Sequence, residues 1–150
     1  MKKIFVSALF AIAFSGAAFA TGNETISKQI RQSFEKEFAG AQYVNWESFN
    51  EKDLYHATFV LNNVRLNAYF DKEGQLLATG RFVKQESLPM LVSKAITEKY
   101  RKQNVVEVIE FVTGNETSYI VKLQDEEKQL FVQAYYDGST AVLKKSKINK

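Results

Sequence analysis

Leu66-Asn67-Ala68-Tyr69-Phe70-Asp71 returns 66 residues later as Val132-Gln133-Ala134-Tyr135-Tyr136-Asp137. The same offset links Ser27-Lys28 to Ser93-Lys94, Ile30 to Ile96 and Phe34 to Tyr100, while Tyr55-His56-Ala57 matches Tyr119-Ile120-Val121 at an offset of 64. An offset held across a helix-like and a strand-like stretch predicts two copies of one supersecondary unit.

Each copy opens on a helical pattern. Ile26, Ile30, Phe34 and Phe38 recur every four residues among Lys and Glu, and Gly40 stands just beyond, where a left-handed cap favours it. In the second copy Leu88, Leu91, Val92, Ala95, Ile96 and Tyr100 form the apolar stripe. Ser87 is placed as N-cap, with Pro89 in the first turn. Strand-like runs follow, about 43–49, 54–61, 64–70 and 76–83, then about 105–112, 118–123, 129–136 and 140–147. Asn62-Asn63 reads as a tight hairpin turn, and Asp71-Lys72-Glu73-Gly74, Gly114-Asn115, Asp125-Glu126-Glu127 and Asp137-Gly138 as further turns. The expected fold class is α+β: two tandem helix-plus-antiparallel-sheet (α-β-β-β-β) repeats, about 25–84 and 87–148.

Period-two alternation assigns the faces. Val64, Leu66, Ala68 and Phe70, with Tyr55, Ala57, Phe59 and Leu61, are expected under the first helix. Leu130, Val132, Ala134 and Tyr136 are expected under the second. The other face then carries His56, Thr58, Arg65, Asn67 and Tyr69 in one copy and Gln129, Phe131, Gln133 and Tyr135 in the other. Tyr and Arg mixed with amides suit a partner-binding patch, so His56, Arg65, Asn67, Tyr69, Phe131, Gln133 and Tyr135 are the candidate contact residues. The alternative is that the aromatic rings cover one another as cross-strand pairs.

The N-terminus gives an address. Lys2 and Lys3 precede an apolar run from Ile4 to Phe14, and Ala18-Phe19-Ala20 supplies a small-x-small triplet. This is the layout of a secretory signal over residues 1–20, cleaved between Ala20 and Thr21. The apolar run is about half of what a spanning helix needs, so a mature chain of residues 21–150 without a membrane span is expected in the periplasm or outside the cell. Cleavage removes Lys2 and Lys3 from 20 Lys and Arg and nothing from 17 Asp and Glu, leaving 18 against 17, a net charge of +1. That balance argues against a nucleic-acid partner. The basic cluster Lys144, Lys145, Lys147 and Lys150 reads as a solvated edge strand and tail. With no Cys in the chain, stability must come from the core alone.

Catalytic chemistry finds little support. His56 is the only His, no Gly-x-Ser-x-Gly elbow accompanies it, and no Gly-rich phosphate loop is present. One His and no Cys cannot build a His/Cys zinc site. Asp71 and Asp137 occupy matching positions and read as turn formers, as do Asp125-Glu126-Glu127. Asn23-Glu24-Thr25 and Asn115-Glu116-Thr117 fit the glycosylation pattern but have no use in a bacterial chain. No enzyme activity, metal or cofactor is expected.

Val44-Asn45-Trp46 after the first helix, Tyr55-His56-Ala57-Thr58-Phe59, the run from Ala68 to Thr79, Leu88-Pro89 and Lys99-Tyr100 carry a family likeness. Through these residues the chain resembles, from about Ser27 to Ser146, bacterial secreted β-lactamase-inhibitor-like, PepSY-like domains of unknown function. The resemblance implies tandem helix-plus-sheet units and an extracytoplasmic location. It also implies an inhibitor-like binder of a protein or peptidase, since the named inhibitor binds its enzyme across a sheet surface. The leading expectation is thus a non-enzymatic module that binds an envelope protein or peptide through its open sheet face. The alternative is a carrier or sensor of a small apolar ligand held between helix and sheet.

Overall fold

Ser27 sets the start of the first helix, α1 (Lys28–Glu37): its Oγ accepts the Ile30 N–H at 3.3 Å, satisfying one orphan donor of the first turn. The helix ends where the Phe38 N–H reaches the Phe34 carbonyl at 2.8 Å, and Gly40 follows at φ +83°. The computed structural model describes residues 26–49 and 53–148. The export signal, its cleavage point at Ala20 and Thr21, the Asn23 tripeptide and Lys150 lie outside the described residues.

Chain packing divides the described residues into two compact units, 26–81 and 82–148. In the first, α1 precedes β1 (Gln42–Phe49), β2 (Leu54–Leu61), β3 (Val64–Asp71) and β4 (Leu76–Val83), the unit boundary falling in β4 after Arg81. Each strand pairs antiparallel with the next. Asn62 and Asn63 stand at φ 51° and 63°, the two left-handed positions that a two-residue hairpin requires. In the turn after β3 the Asp71 carboxylate accepts the Gln75 N–H at 2.8 Å.

Alternation places one set of side chains under the helix. Ile26, Ile30 and Phe34 pack with Ala57, Phe59, Ala68 and Phe70, and Trp46, Tyr55, Leu61 and Leu66 join at the margin. Phe34 is the hub, its ring centre 4.9 Å from Phe59, 5.2 Å from Trp46 and 5.3 Å from Phe38. Val64, expected in this set, is exposed instead, because it sits at the hairpin end of β3.

The second unit runs α2 (Met90–Lys99), β5 (Asn104–Thr113), β6 (Glu116–Gln124), β7 (Lys128–Tyr135) and β8 (Thr140–Lys147), again with antiparallel neighbours. Leu88, Val92 and Ile96 meet Val108, Tyr119, Val121, Leu123, Leu130, Val132 and Ala134 in its core. Three expectations fail here. Ser87 is not the N-cap: it closes a short 3-10 turn, Gln85–Ser87, and Pro89 holds the cap position without a side-chain hydrogen bond. A residue before proline is pushed out of the helical region, so Leu88 is extended at ψ 139° and α2 starts two residues later than the Ser87 reading implies. Leu91 is 52% exposed, which narrows the stripe to Leu88, Val92 and Ile96 with Tyr100 beside it. Tyr136 is 71% exposed because β7 stops at Tyr135, where a turn closes from the Gly138 N–H to the Tyr135 carbonyl at 2.8 Å.

The β6–β7 turn is organised by Asp125. Its Oδ1 accepts the Glu127 and Lys128 N–H groups, both at 2.9 Å, and its Oδ2 accepts Gln103 Nε2 at 2.8 Å. The Gln103 amide, then the Glu127 N–H, hold the Asp125 carboxyl down at about 2 from an ordinary 3.8. The folded value lies below the unfolded one, so this stabilisation is complete above the ordinary value and is lost as pH falls through about 2. Asp125→Asn keeps an Oδ1 acceptor but cannot titrate. Urea midpoints measured from pH 5 to pH 2 should therefore fall less steeply in Asp125→Asn than in the parent; parallel curves would contradict this role.

Candidate functional site

The strand faces turned away from the helices begin one residue out of step with the core. Ala57 and Phe59 are core residues, so His56 and Thr58 project to the opposite side, as the alternation requires. Register then assembles two cross-strand rows, Glu47–His56–Tyr69–Ala78 and Asn45–Thr58–Asn67–Gly80. The His56 and Tyr69 rings stack with centres 4.6 Å apart and planes 10° from parallel. His56 Nδ1 lies 3.2 Å from Glu47 Oε2, and Nε2 lies 3.0 Å from Asn67 Oδ1. Thr58 Oγ1 donates to Asn67 Oδ1 at 3.3 Å. Burial, then the Glu47 carboxylate, pushes the Tyr69 phenol far above its usual range, so it stays neutral at all physiological pH.

Thr58, His56 and Glu47 have the residue types of a nucleophile, a base and an orienting acid. The geometry favours a structural tie: Nε2 is closer to Asn67 than to the Thr58 hydroxyl at 3.4 Å, and that hydroxyl donates to Asn67. Among the described residues no group of three or more His, Asp or Glu is arranged to hold a metal ion.

In the second unit the corresponding rows are Phe111–Ser118–Tyr135, Ile109–Ile120–Gln133–Ala141 and Glu107–Lys122–Phe131–Lys144. Gln133 Nε2 donates to Ser118 Oγ at 3.2 Å, and Lys122 Nζ stands 5.9 Å from the centre of the Phe131 ring. Burial, then the charge of Glu116, raises the Tyr135 phenol above its usual value.

The expectation that all seven candidate residues stand free on these faces needs correction. His56, Asn67, Tyr69, Phe131 and Gln133 are all buried, whereas Arg65 and Tyr135 are exposed, the latter by 38%. The buried members are engaged by cross-strand neighbours: ring on ring, amide on hydroxyl, ammonium over ring. The first unit brings His56, Asn67 and Tyr69 into one cluster, and the second places Gln133 between Phe131 and Tyr135 along β7. Glu47 and Ser118 are members that sequence reasoning missed, while Thr58 was placed on this face but not among the contact residues. Their signal was register, which for Glu47 is hidden by a shift in β1 between Gln42 and Asn45.

A separate feature lies at the outer side of the first unit. Arg31, Phe34, Glu35 and Phe38 of α1 and its end face Val44 and Trp46 of β1 across a cleft of about 260 Å³. Next in sequence to the lining residue Val44, Tyr43 is 84% exposed and carries φ +54°, within the register shift of β1.

No protein-family model and no curated protein sequence matches the chain. Solved structures do. A BLIP-like protein from Bacteroides fragilis is 22% identical with a TM-score of 0.67, over 87% of this chain and 92% of that one. The chain has the BLIP-like fold. The same BLIP-like fold relates it to a protein from Bacteroides eggerthii named as a candidate periplasmic protein, at 14% identity and a TM-score of 0.72 over 83% of this chain and 90% of that one. A DUF2874 family protein from Bacteroides ovatus is also similar, at 20% identity and a TM-score of 0.70, over 83% and 89%. The BLIP-like fold agrees with the resemblance carried by Val44-Asn45-Trp46 and the run from Ala68 to Thr79. Among the described residues no helix is long and apolar enough to cross a membrane.

Proposed function

We propose that this chain is an exported, non-enzymatic binding module of the periplasm or cell exterior, docking a protein or peptide on the strand faces turned away from its helices. One observation carries the reading. In the second unit Ile109, Phe111, Ile120 and Phe131 sit on the side of the strands opposite the α2 core, yet they are as apolar as that core. A strand pair with only one face meant for a core normally makes its other face polar. Here the polar members are amides and hydroxyls held in fixed geometry, and Tyr135 reaches solvent beside them. The four apolar side chains and Gln133 are themselves buried, so what a partner can reach on this side is the exposed Tyr135 held beside them, a residue type that binding patches favour. In the first unit Arg65 is the exposed member next to the Asn67 and Tyr69 cluster.

Export rests on the signal layout of residues 1–20 and on the periplasmic description of the Bacteroides eggerthii protein of similar fold. The two α-β-β-β-β units are read as copies of one motif. Replacing Arg65 and Tyr135 together by Ala should weaken capture of a defined envelope partner, first identified with the parent protein, with circular dichroism unchanged. Retention of that partner at parental level would count against these faces.

A second reading, a carrier of a small apolar ligand between helix and strand, draws on the cleft between α1 and β1. Mass spectrometry of natively purified protein separates the two: a stoichiometric ligand of lipid-like mass favours the carrier.

A further inference from the structure

Tyr43 gains nothing from the fold that would repay its backbone. It is 84% exposed, so its ring packs on almost nothing, and at φ +54° it occupies a conformation that only Gly, Asn or Asp adopt readily. A bulge re-aims a side chain, and a strained residue that contributes no packing is a pointer to a function outside the folded chain. The register shift between Gln42 and Asn45 contains Tyr43 and Val44, and Val44 and the nearby Ala41 both line the cleft against α1.

The cleft has the parts of a side-chain pocket. Phe34, Phe38 and Trp46 give it an aromatic floor and wall, and its volume of about 260 Å³ suits one large side chain. Arg31 and Glu35 bring one cation and one carboxylate to the lining. A free hydrocarbon uses neither. A peptide group uses both, since its carbonyl accepts and its N–H donates. β1 is moreover the outer strand of its meander, pairing only with β2 among the strands of its unit, so extended chain can approach it.

We infer that this cleft is a second binding site, one that seats a bulky apolar side chain of an extended peptide, with Tyr43 closing over it. It goes beyond the far-face reading and uses none of its residues.

Trp46, the only Trp in the chain, lines the cleft and reports on it directly. The full chain is titrated with acetyl-Val-Phe-Val-amide, with acetyl-Val-Ser-Val-amide and with toluene, following Trp46 fluorescence. The Phe peptide should give a saturable change, and the Ser peptide should need a concentration roughly tenfold higher, the cost of an unfilled apolar pocket. Tyr43→Gly should weaken the Phe peptide by a similar factor while its thermal midpoint equals or exceeds that of the parent. Higher stability with weaker binding is the mark of strain kept for function. Absence of a saturable change overturns the inference, as does equal response to the Ser peptide or unchanged binding by Tyr43→Gly. Toluene saturating at or below the Phe-peptide concentration also overturns it, in favour of a free apolar ligand.

Discussion

Phe34→Ala is expected to remove about 3–5 kcal/mol of unfolding free energy, the full range for deleting a buried aromatic ring. Phe34 is 5% exposed and touches four aromatic side chains, with Phe70 the most distant at 6.3 Å between ring centres. Phe59 meets it edge-on at 90°, a geometry that adds to the burial itself. Truncation leaves a hole bounded by α1 on one side and by β2 and β3 on the other. Those walls are fixed by backbone hydrogen bonds, so they collapse little and the cavity cost remains. Urea unfolding at neutral pH reads the loss as a lowered midpoint with an unchanged slope. Because single domains rest on a margin of only about 5–15 kcal/mol, the variant should sit close to its limit. A loss below about 1 kcal/mol would mean that α1 is not anchored through this ring. Tyr136→Ala, at a side chain 71% exposed, is the matched control and should change little.

The second large effect is expected at Gly74. It stands at φ +78°, where a side chain costs roughly 1–2 kcal/mol. It also lies against α1: a Cβ there would come within 2.9 Å of Ser33 Oγ and 3.3 Å of the Gln29 carbonyl oxygen. The Ser33 hydroxyl can rotate aside; the Gln29 carbonyl, part of the helix backbone, cannot. The contact is reinforced by Gln29 Nε2 donating to the Glu73 carbonyl at 2.6 Å. Gly114 separates the two causes, since it has φ +59° and nothing within 4 Å of its added Cβ. Gly114→Ala should therefore cost only the backbone part, and Gly74→Ala about 1 kcal/mol more. Equal losses in thermal or urea unfolding would show that the turn after β3 yields without disturbing the helix.

These two sites mark what was legible in the sequence. The four-residue recurrence of Ile26, Ile30, Phe34 and Phe38 identifies the helix and its buried side. The strands Leu54–Leu61, Leu76–Val83 and Thr140–Lys147 fall where apolar alternation and turn residues place them. Asn62-Asn63 announces its own turn, because few other pairs tolerate two positive φ values. Local rules reach no further than that. Pro89 moves the start of α2 through a steric restriction on Leu88 that outweighs the capping tendency of Ser87. Tyr136 follows the alternation of β7 yet leaves it, since the turn closing on Tyr135 ends the strand first.

The candidate faces were legible as a side of the strands and not as a surface. Period two assigns His56, Asn67, Gln133 and Tyr135 to the side away from the helices, and that much is a property of one strand. Whether a side chain on that side stands free depends on its partner in the next strand. His56 is buried with Tyr69 stacked on it and Glu47 at its Nδ1, a row joining three strands through a register that the shift in β1 conceals. Tyr43 was invisible for the same reason: nothing in Gln42-Tyr43-Val44-Asn45 announces a left-handed tyrosine. The residues that fix the fold are thus repetitive and readable, whereas those that shape its surfaces depend on pairings the chain makes only once folded.

Site-specific photocrosslinking in living cells tests most directly the claim that the envelope partner docks on the far strand face at Tyr135 and not on α2. A photoreactive residue is placed at Tyr135 in one variant and at Met90, 83% exposed at the start of α2, in another. The expected result is one discrete crosslinked envelope protein from position 135 and none above background from position 90. The same adduct from position 90 with none from position 135 would contradict the account.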